Sequence, residues 1–353
     1  MDLLSLVDDC LDGRMNGMRS WKFWIGVIVS VVFLWVVLRG LSLAELLSVL
    51  PGLNYWWLVP GVAVYFLGVW VRSWRWRYLL NPVKSISTRR LFPVVCIGYA
   101  GNNIFPARAG EVLRAGVLKR REDVAISASL ATIIVERIFD GVVMLGFVFL
   151  NLSELSGLTS GSGFIGSIRN LAISGAVLFL GVLVVVMLAA MFPNQASATV
   201  DMVIRRVMPL RYQEKTISIA ERFLGGLEAL RSPKDAVMVL LTSVVIWLLE
   251  TLKYWFVLQA FPFEVSFFAL MLMNGIVNLA TTIPSAPGYI GTFDAPGIAL
   301  LQAYDVEKVI AVGYTLVLHA ALWFPITALG LYYLAREGIN WGEAMDTVNV
   351  EGG

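Results

Sequence analysis

The chain has 353 residues, of which 58% are apolar without counting glycine and 15% are charged, against about 45–50% apolar and about 25% charged in soluble domains. Its 27 basic and 25 acidic residues nearly cancel, which argues against a nucleic-acid partner, and two cysteines, Cys10 and Cys96, supply neither a disulfide framework nor a metal motif. These values indicate a polytopic membrane protein, read as a single integral membrane domain over residues 1–353, because no stretch outside the apolar segments is core-rich enough to fold alone.

In chain order, a mixed-charge tail to Lys22 precedes the first apolar segment, 23–38. Arg14, Arg19 and Lys22 resemble a signal-peptide n-region, but no small-x-small cleavage site follows, so a retained span is expected. A second span, 55–71, has Trp56 and Trp57 at one end and Trp70-Val-Arg-Ser-Trp-Arg-Trp-Arg77 at the other, an interfacial belt merging into a basic loop. With Arg72, Arg75, Arg77, Lys84, Arg89 and Arg90, that loop is cytoplasmic by the positive-inside rule. Residues 91–105 are apolar but short of the roughly 20 that a span needs. They are read as one arm of a re-entrant hairpin that turns at 102–106 and returns through Gly110 to Lys119-Arg120-Arg121. Non-helical backbone at membrane depth is tolerated only against protein or a watery space, so the turn marks a cavity.

Residues 124–152 are long enough to cross and carry Glu136, Arg137 and Asp140, spaced to share one helical face. A charge at bilayer depth costs roughly 2.5–3.5 kcal/mol, so this face must look inward. The Ser/Gly-rich stretch 151–166 reads as an outer loop. It contains a formal G-x-G-x-x-G at 161–166, with no strand or βαβ unit around it, and a formal glycosylation triplet, Asn151-Leu-Ser153. After a span at 171–192, the polar segment 193–234 has Val200, Val203, Ile204, Val207 and Met208, then Ile219, Phe223 and Leu227, at helical spacing. These read as amphipathic helices on the membrane surface, with Arg205, Arg206, Arg211, Lys215 and Arg222 towards anionic headgroups, a partner-protein surface being the alternative. Span 236–261 carries Glu250 and Lys253, close enough to pair. Segment 265–283 carries Asn274 and Asn278 and runs into a second Pro/Gly break at 284–291, with Asp294 just beyond. The last span, 309–334, contains His319, the only histidine, read first as a structural hydrogen-bonding residue and second as a proton relay.

The two breaks align as Phe105-Pro-Ala-Arg-Ala-Gly-Glu111 with Ile283-Pro-Ser-Ala-Pro-Gly-Tyr289, keeping the Pro-x-x-x-Gly spacing. The first repeat, 55–152, runs inward span, hairpin from the cytoplasm, outward span, and the second, 236–334, does the opposite, with a cytoplasmic linker at 193–234 between them. The expected fold is therefore an all-α polytopic membrane protein of about six full transmembrane helices plus two re-entrant helical hairpins arranged as an inverted repeat, the plan of many secondary transporters.

The motifs Pro106-x-Arg108-x-Gly110-Glu111-x-x-Arg114, Glu136-Arg137-x-x-Asp140 and Pro287-Gly288-x-x-Gly291-x-x-Asp294-Ala295 resemble, in order and spacing, those of the lysylphosphatidylglycerol synthase membrane-region family, also called flippase-like. Tyr289 and Asp294 depart from that pattern, standing where the family usually has glycine and glutamate. The resemblance implies a membrane domain that moves lipids or lipid-linked intermediates between leaflets, and a location in the cell membrane of a prokaryote with both termini cytoplasmic. The expected substrate-binding residues are Asn103, Pro106, Arg108, Gly110, Glu111, Arg114, Glu136, Arg137, Asp140, Glu250, Lys253, Asn278, Pro287, Gly288, Gly291 and Asp294. In this reading Arg108 and Arg114 hold a lipid phosphate by bidentate contacts and Glu111 orients them. No cofactor, catalytic residue or metal ligand is expected, and the absence of a G-x-x-x-x-G-K-[ST] loop gives no support to ATP hydrolysis in this chain. The partners implied are a phospholipid or polyprenyl-phosphate-type lipid, the membrane, and a separate glycosyltransferase or lipid-modifying enzyme, with no nucleic acid. The alternatives are a membrane enzyme acting on a lipid headgroup through Glu111, Glu136 or Asp140, and a non-transporting scaffold for a separate glycosyltransferase.

Overall fold

Uncharged runs of Leu, Val, Phe and Ala interrupted by Pro and Gly fold here as helices and breaks between them. The computed structural model describes residues 48–105, 108–151, 180–282 and 286–338, together with Ile28, Trp35, Glu45 and Val177. Most of the expected span at 23–38, most of the outer loop with its glycine and glycosylation motifs, and Pro106 in the first break lie outside the described residues.

The described residues contain helices and no strand. The helices are α1 (Leu58–Leu80), α2 (Thr88–Ile104), α3 (Ala109–Glu122), α4 (Ile126–Leu150), α5 (Leu180–Met191), α6 (Pro193–Val207), α7 (Leu210–Gly226), α8 (Pro233–Leu258), α9 (Phe267–Ala280), α10 (Asp294–Ala303) and α11 (Lys308–Arg336). By length and apolar composition α8 and α11 are each able to cross a membrane, and a third crossing arises if α5 and α6, bent by 109° at their junction, form one span. Helices α1 and α4 have 23 and 25 residues, enough to cross on length alone, but carry buried charges.

Three expectations are corrected by the packing. The second span does not end at residue 71: α1 continues to Leu80, and Arg72, Arg75 and Trp76 are buried instead of lying in a cytoplasmic loop. Spacings of three and four place them on the face that carries Tyr65, Gly68 and Val69, and that face meets carboxylates from other helices. The first hairpin does not turn at Asn102, because Asn102 and Asn103 form the last turn of α2. The linker is only partly free. Helix α6 buries no residue and exposes Met202, Val203 and Val207, whereas α7 docks on α4 where Gly226 meets Ala128 and Ala131.

Exchanging the two halves, α1 to α4 against α8 to α11, maps the helix contacts onto one another. Helix α1 packs on α8; α2 packs on α11 as α9 packs on α4; α2 packs on α3 as α9 packs on α10; and α3 packs on α4 as α10 packs on α11. The residue-by-residue alignment of the breaks is looser than this. Gly110 sits in the first turn of α3, where an added Cβ would collide with the Gly98 carbonyl and the Asn102 amide. Gly288 has φ of 72° in the non-helical link, with the Trp323 indole 2.6 Å from where a Cβ would be. Both positions require glycine, one for close approach and one for a left-handed backbone.

Candidate functional site

Helix α1 approaches α8 through Gly61 and Gly68, which leave room for Val257, Phe256 and Leu249, as small residues do where membrane helices pack closely. That approach sets Arg72 3.3 Å from Glu250 and the Lys253 ammonium 4.5 Å from the centre of the Tyr65 ring. Glu250 also pairs with Lys253, one helical turn along α8. Arg72 continues to Asp140 on α4 at 3.4 Å, and Arg75, fully buried, reaches Asp140 at 2.6 Å and the Ser243 hydroxyl at 2.7 Å. Trp247 donates its indole N–H to the same carboxylate at 3.0 Å.

From α4 the network enters the first hairpin. Arg114 donates to both Glu136 oxygens at 2.7 and 3.3 Å and lies over Trp76, 3.5 Å from the ring centre. Arg137 lies 3.0 Å from Glu111 and 3.6 Å from Asp140. Arg108 lies 3.6 Å from Glu111, and its backbone is left-handed, with φ of 56°, at the cap of α3. A non-glycine residue costs roughly 1–3 kcal/mol in such a conformation, which the surrounding contacts must supply. Besides Glu111, those contacts come from the second half. The Arg108 guanidinium donates to the Thr281 carbonyl at 3.3 Å and sits 5.8 Å from the Tyr289 ring centre.

The second break is pinned from α11. His319 Nδ1 is 2.8 Å from Asp294 and its Nε2 is 2.8 Å from the Gly288 carbonyl, while Asp294 accepts the Gly291 amide at 2.9 Å. His319 is thus bonded on both ring nitrogens, as its structural reading expects. Asn103 donates to Thr327 on α11 at 2.8 Å, tying the end of α2 to the same helix.

Where the two breaks face each other lies a cavity of about 140 Å³, roughly the size that accepts one benzene ring. Of the residues expected to bind substrate, Asn103, Arg108, Glu111, Arg137, Glu250, Lys253, Asn278 and Gly288 line it. Gly110, Arg114 and Glu136 line a smaller space of about 20 Å³ beside it, together with Glu111 and Arg137. Asp140, Pro287, Gly291 and Asp294 line neither and stand behind the wall. The expected pairing of Arg108 with Arg114 around one phosphate is therefore corrected: Arg114 is committed to Glu136 and Trp76, and the guanidinium groups that share the larger cavity with Arg108 are Arg137 and Arg72. Sequence reasoning missed Arg72, Tyr65, Tyr99, Asn102, Trp247, Tyr289 and Trp323 as lining residues. For Arg72 a signal existed in its helical spacing with Tyr65, Gly68 and Val69; the aromatic residues had none.

A family model described as lysylphosphatidylglycerol synthase TM region matches residues 23–330. Among curated proteins, the chain is 28% identical over 336 residues to a protein of Haloferax volcanii named "Glycosyltransferase AglD", covering 86% of this chain and 52% of that one. It therefore spans about half the length of that relative. A "UPF0104 membrane protein" of Methanothermobacter thermautotrophicus is 25% identical over 341 residues, covering 90% of this chain and 94% of the relative, and one of Methanocaldococcus jannaschii is 22% identical over 324 residues, covering 90% and 95%. No solved structure matches.

Proposed function

This chain belongs to the lysylphosphatidylglycerol synthase TM region family, and we propose that it moves a phosphate-bearing lipid or lipid-linked intermediate between leaflets without hydrolysing ATP itself. The observation that carries this reading is Arg108: it leaves the first broken helix and reaches the backbone and Tyr289 of the second, in a cavity that also receives Arg137, Arg72 and Lys253. Arginine is suited to phosphate because its planar fork donates in pairs, and a cavity between two interrupted helices is where many secondary transporters hold their cargo. In the resting arrangement Glu111 and Glu250 occupy the cations that a phosphate would use, so entry of the headgroup exchanges one counter-ion for another.

On this reading the halves at 55–152 and 236–334 are an inverted repeat within one membrane domain of about six spans and two re-entrant hairpins, with both termini cytoplasmic and the protein in the cell membrane. The matching contacts of the two halves support the repeat. No chemistry is assigned to the cavity, whose two carboxylates are engaged in ion pairs. The test is exchange in liposomes: purified protein is expected to move a fluorescent phosphate-bearing lipid between leaflets without ATP. A panel of anionic phospholipids, aminoacylated lipids and polyprenyl phosphates that shows no exchange above protein-free liposomes would overturn it.

A second reading, a membrane scaffold for a separate glycosyltransferase, draws on the printed name of the Haloferax relative and on the half of that protein that this chain does not span. Stable co-purification of such an enzyme, with no lipid exchange, would favour it.

A further inference from the structure

Counting charge in the buried network narrows the headgroup. Lys253, Glu250, Arg72, Asp140, Arg75, Glu136, Arg114, Arg137, Glu111 and Arg108 form one connected chain of ion pairs. Six are cations and four are carboxylates, a formal excess of two positive charges. The excess is not spread evenly. Arg75 and Arg114 pair with Asp140 and Glu136 beside the larger cavity, although Asp140 is shared with Arg72 and Arg137. Those that line the cavity are Arg72, Arg108, Arg137 and Lys253 against Glu111 and Glu250, with Asp140 reaching Arg72 and Arg137 from outside it, so the positive excess of the network lies towards the cavity. The nearby His319–Asp294 pair does not alter this. The Gly288 carbonyl can only accept, so His319 Nε2 carries a proton, and the short contact at Nδ1 needs one further proton on either His319 or Asp294. Either way the pair is neutral.

Each cavity cation has a carboxylate partner, with Arg72 and Lys253 buried and Arg108 and Arg137 partly exposed, but the cations outnumber the carboxylates, so the site favours a ligand that brings about two negative charges. We propose, resting on the transport reading above, that the cargo ends in a phosphomonoester, which carries about −1.5 to −2 at pH 7, and not in a phosphodiester, which carries one. The cavity volume of about 140 Å³ suits a terminal phosphate, with the lipid tails outside it.

The test compares lipids on purified protein by native mass spectrometry, with phosphatidic acid and phosphatidylglycerol matched in their acyl tails. Phosphatidic acid and a long-chain polyprenyl monophosphate supply the monoester, phosphatidylglycerol the diester, and inorganic phosphate the free anion. At pH 7.5 both monoesters are expected to bind about tenfold or more tightly than phosphatidylglycerol, the scale of one charged hydrogen-bonding partner. Whichever tail binds more tightly identifies the natural source. As pH falls through about 6 the monoester dianion takes up one proton and becomes a monoanion, and the preference is expected to shrink towards parity by pH 5. Any proton taken up by the protein would only add to the positive excess, so a loss of monoester binding reports the ligand's own proton. Lys253→Met removes one surplus charge and is expected to cost the monoester about tenfold and phosphatidylglycerol less. Equal binding of the two classes at pH 7.5, with both exchanged in liposomes, would overturn the monoester assignment and leave the transport reading standing. Tighter binding of inorganic phosphate than of either lipid would overturn the assignment too, whereas no binding of any lipid would remove the transport reading itself.

Discussion

Asp140 holds more of the network than any other carboxylate. It is 1% exposed and meets Arg75, Arg72, Arg137 and the Trp247 indole. Asp140→Asn would leave Arg75 buried without its principal counter-charge, and removing one partner of a buried pair typically costs about 3–5 kcal/mol. The expected result is a large drop in melting temperature in detergent. Asp123→Asn, at the exposed end of α3 against Lys119, should change little. Equal melting of the two variants would mean that the Asp140 network contributes nothing to stability. Some of this network was legible in the sequence. Glu136, Arg137 and Asp140 announced an inward face by their spacing, and Glu250 announced Lys253. Arg72 and Arg75 were marked only by their helical spacing with Tyr65, Gly68 and Val69, and a Trp/Arg run at the end of an apolar segment looks like an interfacial belt until its carboxylate partners arrive from α4 and α8.

At the scale of elements, proline and glycine betrayed both breaks, since each interrupts an apolar run that would otherwise continue as helix. Their register was not betrayed. The shared Pro-x-x-x-Gly spacing puts glycine in a tight helix contact at Gly110 and in a left-handed link at Gly288, two backbone demands that the same residue meets. The α2–α3 hairpin closes through the Gly110 contact with Gly98 and Asn102. Gly110→Ala is therefore expected to destabilise by about 1–3 kcal/mol, the usual cost of overpacking, and to lower folded yield. Gly146→Ala, near the C-terminal end of α4 with nothing within 4 Å of its added Cβ, should be neutral or gain about 0.5–1 kcal/mol from the smaller entropy cost of alanine. Melting curves of the two variants check this, and a stable Gly110→Ala protein would contradict the closeness of the hairpin. The docking of α7 on α4 was hidden for a different reason: amphipathic spacing reports that a face wants cover, not whether lipid or protein provides it.

For the whole molecule, the aligned breaks led to the expectation of a repeat, and the exchangeable contacts of the two halves support that reading. Its inversion makes a separate claim about the membrane. Single cysteines at Ser85 or Ser218, in protein lacking Cys10 and Cys96, should react only with reagent on the cytoplasmic side, and one at Ser160 only with reagent outside. External labelling of position 85 would remove the inverted arrangement. The central claim is that the cavity where the two breaks meet carries the lipid phosphate, and Arg108 is the residue that joins them there. The most direct measurement is lipid exchange in liposomes with wild-type protein, Arg108→Ala and Arg108→Lys, each checked for folding by its melting curve. The account predicts loss of exchange in the folded alanine variant and partial recovery in the lysine variant, which keeps the charge but loses the paired donors. Exchange at the wild-type rate in the alanine variant would contradict it.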